Sequence, residues 1–174
     1  LDPEHSFVHF EVRHFGTSTT RGRVGPIQAE VMIDRAAGRG EVNLRVPTAS
    51  INTGLRFFDA RLREDDLLAS TEYPEAFFVA TQFRFDGDRL AEVRGEFTLR
   101  GVSQPLSLLA RRFACRMDEG AEVCGGDFEG EIVQCIARQH GGCLVKCLMD
   151  GRLAVAQVVI VHARQIVVDQ RIDV

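Results

Sequence analysis

Apolar and polar residues alternate one for one through most of the first 131 residues, and period two is the spacing of a strand with one wet face. In "SFVHFEVRH", Ser6, Val8, Phe10, Val12 and His14 fall on one side and Phe7, His9, Glu11 and Arg13 on the other. The segment "IQAEVMID" puts Ile27, Ala29, Val31 and Ile33 together, and "EVNLRV" does so with Val42, Leu44 and Val46. "FFVATQFRF" groups Phe77, Val79, Phe83 and Phe85, and "RLAEVRGEFTLR" groups Ala91, Val93, Gly95, Phe97 and Leu99. Between these runs "AAGRG", "DGD" and "RGVSQP" carry turn chemistry. Many short amphipathic strands joined by tight turns predict an all-β antiparallel sandwich or barrel over residues 6–131.

One stretch breaks the period. In "NTGLRFFDARLREDDLLAS", Leu55, Phe58, Leu62 and either Asp66 or Leu67 recur at three-to-four intervals with charges between. That spacing predicts an amphipathic helix of about three turns near residues 54–68, which Pro74 keeps from running on. A lone helix in an all-β chain covers a barrel end or a sheet face.

"FACRMDEGAEVCGGDF" reads as a hairpin. With Asp118 to Ala121 as the turn and Gly120 supplying the flexible backbone, Cys115 stands directly opposite Cys124. Opposed residues lie ~4.5 to 5.5 Å apart at Cα, within reach of a disulfide. Closing so short a loop contributes roughly 2.5 to 3 kcal/mol on the chain-entropy account. The alternative is two thiols stacked across a reduced hairpin. A stable disulfide favours an oxidising compartment, and the start at Leu1 is read as an export signal already removed, which makes the periplasm the expected location.

A net charge of -4 and the absence of a basic cluster exclude a nucleic-acid backbone as partner. "LAVAQVVIV" is far shorter than the ~20 residues of a membrane helix. His5, His9 and His14 lie within ten positions and raise the question of a metal. His5 precedes the strand, His9 points outward and His14 inward, so they do not converge and no metal site is expected. His140, Cys143 and Cys147 have no credible fourth ligand. Asp65 and Asp66 are adjacent, which points them apart on a helix, and no phosphate loop is present, so catalysis is not expected either.

Residues 132–174 contain no Phe, Tyr, Pro, Ser, Thr, Asn or Glu, types that supply 47 of the first 131 residues. We read this tail as the product of a reading frame shifted just after "CGGDFEGE", which divides the chain into a domain at 1–131 and an anomalous tail at 132–174. On the alternative reading the C-terminus is divergent and "LAVAQVVIV" still supplies a closing strand. Independent reads across codons 128 to 136 separate the two.

Three stretches, "DPEHSFVHFEVRHFGTSTTRGRVG", "PTASINTGLRFFDARLREDDLLASTEYPEAFF" and "VRGEFTLRGVSQPLSL", together resemble the YceI-like family in composition and order, from Leu1 to about Glu131. The resemblance implies an elongated, eight-stranded antiparallel lipocalin-like barrel with a helical segment near its mouth. It also implies a hydrophobic bore that holds a polyisoprenoid or isoprenoid-quinone-type lipid, in a carrier or storage role. Members are frequently periplasmic and some form homodimers; loading such a lipid involves transient membrane contact. No cofactor is expected beyond the bound isoprenoid lipid. On this reading the lining falls to Val8, Phe10, Val12 and His14 of the first strand, to Phe83 and Phe85, and to Val93, Phe97 and Leu99, with Phe58 and Leu62 of the helix at the mouth.

The chain departs from the family pattern in three places. Gly22 is followed by Arg23 and Val24 where the family has Gly-x-Phe; the helix reads "FDARLREDDLL", with Arg61 at the usual histidine and Leu67 and Leu68 at two aromatics; and the closing "PDEV" region is not recognisable. The competing expectation from the same residues is a filled barrel that acts as a non-catalytic stress-response or interaction module, because apolar strands report burial and not emptiness.

Overall fold

The computed structural model describes residues 2–14, 17–118, 121–132 and 154–167, with backbone alone for Pro3, Arg13, His14, Ala121 and 154–167. Nine strands, β1 (Ser6–His14), β2 (Ser18–Val24), β3 (Gln28–Asp34), β4 (Arg39–Pro47), β5 (Glu75–Asp86), β6 (Arg89–Leu99), β7 (Val102–Asp118), β8 (Ala121–Glu131) and β9 (Ala154–Val167), form one antiparallel sheet in the order β2-β1-β9-β8-β7-β6-β5-β4-β3. One helix, α1 (Arg56–Leu62), interrupts the chain between β4 and β5.

The two edge strands of this sheet are neighbours in sequence. Only Gly25, Pro26 and Ile27 separate β2 from β3, four Cα steps that reach about 14 Å at full stretch. The edges therefore have to meet, and the sheet curls into a barrel in which β2 and β3 act as one extended segment with a corner, so that the wall counts eight. The corner is stitched: Ile27 N–H donates to the Ser6 carbonyl at 3.1 Å, Gly25 N–H to Ser50 Oγ at 2.9 Å, and Arg23 and Asn52 exchange two backbone bonds of 2.9 Å. Ile27, fully buried, plugs the bend from inside. From the tail, β9 fills the place between β8 and β1, the closing strand that the alternative reading of the tail assigned to "LAVAQVVIV".

Two β-bulges in the β5–β6 pair change which of their residues face inward. The pairing of β5 with β6 shifts between Ala80 and Gln82, where one extra residue flips the parity of everything beyond it. Phe83 and Phe85 point in as predicted, but Phe77 and Val79 do not share their side; they lie on the outer face, 39 % and 46 % exposed, and Phe78 is the buried ring. A second shift between Arg84 and Phe85 leaves Ala91 as the extra residue, so Leu90 takes the inward place given to Ala91.

The predicted three-turn helix is a two-turn one. After Leu62 the chain folds back: Leu68 N–H donates to the Leu62 carbonyl and Ala69 N–H to that of Glu64, at 3.0 and 2.9 Å, and Ala69 takes a φ of 49°. Arg61 locks the reversal with a two-pronged ion pair to Asp66, both bonds 2.5 Å, and a third bond to Glu64. The reversal turns Leu68 onto the barrel core, and burying it outweighs the helical propensity of a solvated "REDDL".

The hairpin forms as predicted. β7 and β8 place Cys115 opposite Cys124, and the two sulfurs are bonded with Cα atoms 3.9 Å apart, closer than the expected spacing. The Gly120 turn position lies outside the described residues.

Candidate functional site

Strand pairing stacks the inward side chains of β4, β5, β6 and β7 into rows along the hydrogen-bond direction. Nearest the α1 end stand Val46, Ala76, Leu99 and Val102, then Leu44, Phe78, Phe97 and Gln104. Below them come Val42, Ala80, Gly95 and Leu106, and then Phe83, Val93 and Leu108 past the first bulge. None of these side chains is charged. The third row is narrow-walled by construction: a Cβ on Gly95 would run into the carbonyl oxygen of Val79 and sit 2.6 Å from the Ala80 methyl.

Several phenyl rings lean on glycines of a neighbouring strand or of their own. A Cβ on Gly22 would strike the Phe10 ring, one on Gly40 would meet three ring atoms of Phe83 at 2.7 to 2.8 Å, and one on Gly126 would meet Phe128 at 3.0 Å and Phe113 at 3.1 Å. A ring that occupies the volume of a missing side chain lies along the wall and not across the interior. Phe83 and Phe85 stack at 6.4 Å between centroids, and Phe113 meets Phe128 edge to face at 6.2 Å.

Charge sits outside this wall or at its far end. Glu92, on the outer face, is buried under Arg84 and Arg94, and their hydrogen bonds, Arg94 first, hold its carboxyl at about 2 against an ordinary 4.5. Asp59 accepts from both the hydroxyl and the amide of Thr53 at 2.7 Å, which keeps its carboxyl below the usual range and ties α1 to the loop that leads into it. At the end opposite α1, Arg35 pairs with Glu122 across the tips of two hairpins. Beside the disulfide a cleft of about 400 Å³ is lined by Asp2, His5, Ala114, Arg116, Val123 and Gly125, apart from the uncharged rows. Among the described residues Cys115, Glu122 and Cys124 bring potential metal-ligand atoms within 4.8 Å of one another, with the two sulfurs bonded to each other. His5 bonds to Asp2 at 2.5 Å.

Comparison with known proteins decides the kinship. The YceI-like domain pattern matches residues 1–140. The chain is 33% identical over 131 residues to protein YceI of Shigella flexneri, covering 74% of this chain and 68% of that one. The chain belongs to the YceI-like family. A UPF0312 protein of Pseudomonas savastanoi is 32% identical over 108 residues, 62% of this chain and 56% of its own. Among solved structures this YceI-like barrel is similar in fold to Burkholderia cenocepacia BcnA, with a TM-score of 0.68 at 18% identity over 92% of this chain and 96% of that one. It is also similar to a domain from Saccharophagus degradans described as polyisoprenoid binding, with a TM-score of 0.53 at 17% identity over 94% and 97%.

In this YceI-like chain the expected lining residues are distributed as follows. Val8, Val93 and Leu99 are core residues, and Phe83, Phe85 and Phe97 pack half-buried against that core. Phe10 and Val12 are half-buried on the inner face of β1. Phe58 and Leu62 are half-buried on α1, while Leu68 is the residue of this segment that reaches the core. His14 pairs through its backbone with Ser18 and Ala154, and its side chain lies outside the described residues. The expectation passed over Phe78, Leu106, Leu108 and Gln104. The alternation of "SQPLSLL" carried a signal for Leu106 and Leu108; a lone glutamine carried none, and Phe78 was hidden by the bulge after Ala80.

Proposed function

We propose that this chain binds the hydrocarbon tail of a long polyisoprenoid lipid, of the isoprenoid-quinone type, along the inner wall of its barrel, and that it works as a non-catalytic carrier or storage protein. The observation that carries the reading is the succession of uncharged inward rows, walled in its third tier by Ala80 and Gly95 and flanked by rings folded onto glycines. Each methylene-sized group removed from water contributes ~0.8 kcal/mol, so one five-carbon unit gains roughly 3 to 4 kcal/mol before ordering costs are subtracted. Two or three buried units suffice for useful affinity. The polyisoprenoid-binding description of the Saccharophagus domain supports the same ligand class. The Cys115–Cys124 disulfide supports work in an oxidising compartment, which we take to be the periplasm.

The test is an organic-solvent extract of the purified, folded protein read by mass spectrometry. A prenyl lipid near one per chain supports the carrier. A clean extract, followed by no uptake of added prenyl lipid, refutes it and leaves the interaction module.

A further inference from the structure

Within the uncharged second row one side chain is polar. Leu44 pairs with Phe78, Phe78 with Phe97, and Phe97 with Gln104, so an amide stands in line with a leucine and two phenyl rings on the inner face. Its Nε2 is shielded from solvent and has no hydrogen-bond partner. A buried N–H in that position has given up its water and received nothing in return, and such groups call for an explanation. Leucine would stand beside Phe97 without this cost, as Leu106 stands beside Gly95 one row below.

The position of Gln104 along the barrel gives the explanation. It lies four residues from Arg100, in the β6–β7 turn, whose guanidinium donates to the carbonyls of Leu67 at 2.6 Å and Asp65 at 2.9 Å. The segment after α1 is thereby clamped against this end of the barrel. That segment includes Ser70, whose buried Oγ is likewise without a partner. Of the buried side-chain atoms without a partner among the described residues, which also include Ser6 Oγ and Glu122 Oε2, Gln104 Nε2 and Ser70 Oγ thus lie toward the α1 end.

We propose that Gln104 is the headgroup contact of the bound lipid: its Nε2 donates a hydrogen bond to a neutral oxygen at the head of the prenyl chain, with the head at the α1 end and the tail running past Ala80 and Gly95 toward Phe83 and Leu108. This assignment rests on the lipid-binding reading above and adds to it a polarity and a chemical class. The row supplies an amide and no countercharge, so the oxygen it suits is a carbonyl or a hydroxyl and not a phosphate. A quinone carbonyl accepts only, which matches the Nε2 donor that is left without a partner.

The experiment uses the full chain stripped of lipid and three probes: a prenylated benzoquinone, a prenyl alcohol of the same length, and squalene, an isoprenoid with no oxygen. Wild type is expected to prefer the two oxygenated probes. Gln104→Leu should weaken the benzoquinone about five- to tenfold, the scale of one neutral hydrogen bond, and leave squalene unchanged or tighter. The infrared carbonyl stretch of the bound benzoquinone should lie lower in wild type than in Gln104→Leu. The alcohol arm separates the sources: loss confined to the benzoquinone identifies a carbonyl head, and equal loss of both identifies any neutral oxygen. Unliganded Gln104→Leu should melt no lower than wild type, because it removes an unsatisfied amide. Equal weakening of benzoquinone and squalene, or no change in either, overturns the headgroup role while leaving the lipid-binding reading intact. Failure of wild type to bind any of the three overturns both.

Discussion

The wall-leaning phenyl rings make a quantitative prediction at Gly40. A Cβ added there would meet Cε1, Cδ1 and Cζ of Phe83 at 2.7, 2.8 and 2.8 Å, where ordinary contact begins at 3.4 Å, so the ring has to retreat by about 0.6 to 0.7 Å. All three atoms belong to a side chain, and the backbone need not move. In Gly40→Ala the Phe83 ring therefore swings off the wall toward the interior and takes its stacking partner Phe85 with it. Holding the ring off its rotamer costs on the order of 0.5 to 1.5 kcal/mol, or roughly 1 to 6 °C in Tm for a chain of this size. The lipid suffers more directly. Each methylene-sized volume denied to it weakens binding about fourfold, at ~0.8 kcal/mol, and a displaced ring removes one or two. Gly40→Ala should thus remain folded yet bind a prenyl lipid about 4- to 15-fold more weakly, measured by competition with a polarity-sensitive fluorophore. Trimming the ring in Gly40→Ala/Phe83→Leu should restore most of the affinity. Gly95→Ala is the contrast, since it collides with the Val79 backbone oxygen and should fail through lost stability. A Gly40→Ala protein with lowered Tm and binding within twofold of wild type would refute the claim that Phe83 borders the lipid.

Phe97→Glu places a carboxylate in the row of Phe78 and Gln104, and should abolish lipid uptake in a protein that still gives a strand-rich circular dichroism spectrum at neutral pH. Glu92→Gln tests the outer-face cluster: a carboxyl held at about 2 instead of 4.5 stabilises the fold fully above pH 4.5, and that contribution is lost as pH falls toward 2. Its arginines are 56% and 58% exposed, so screening reduces a ceiling of about 3.4 kcal/mol to about 1 kcal/mol; the Tm deficit of the variant should be about 2 to 4 °C at pH 7 and should shrink by pH 3. Reducing Cys115–Cys124, or replacing both with Ser, should lower unfolding free energy by about 2.5 to 3 kcal/mol in urea melts. Since these cysteines lie well away from the Gln104 row, lipid affinity measured below the melting range should change less than twofold.

Period two is a property of the chain alone, because successive side chains of any strand point to opposite faces whatever it pairs with. The all-β class, the inner faces of β1, β3 and β4, and the opposition of Cys115 and Cys124 are therefore legible in the amino-acid pattern itself, as is the kinship carried by the three matching stretches. Parity beyond a bulge is a property of two strands together. No local pattern in "FFVATQFRF" announces the extra residue after Ala80, so the exchange of Phe77 for Phe78 was decided only when β5 met β6. The helix was shortened for a related reason: its propensity is local, whereas the burial of Leu68 exists only against a finished barrel. Closure itself came from topology, through two edge strands held three residues apart by Gly25, Pro26 and Ile27. The polar end of the wall likewise belongs to the tertiary structure: an isolated glutamine in "VSQPLS" reads as surface, and only pairing with Phe97 sets its amide among hydrocarbons, where an unmade hydrogen bond acquires a cost and hence a meaning.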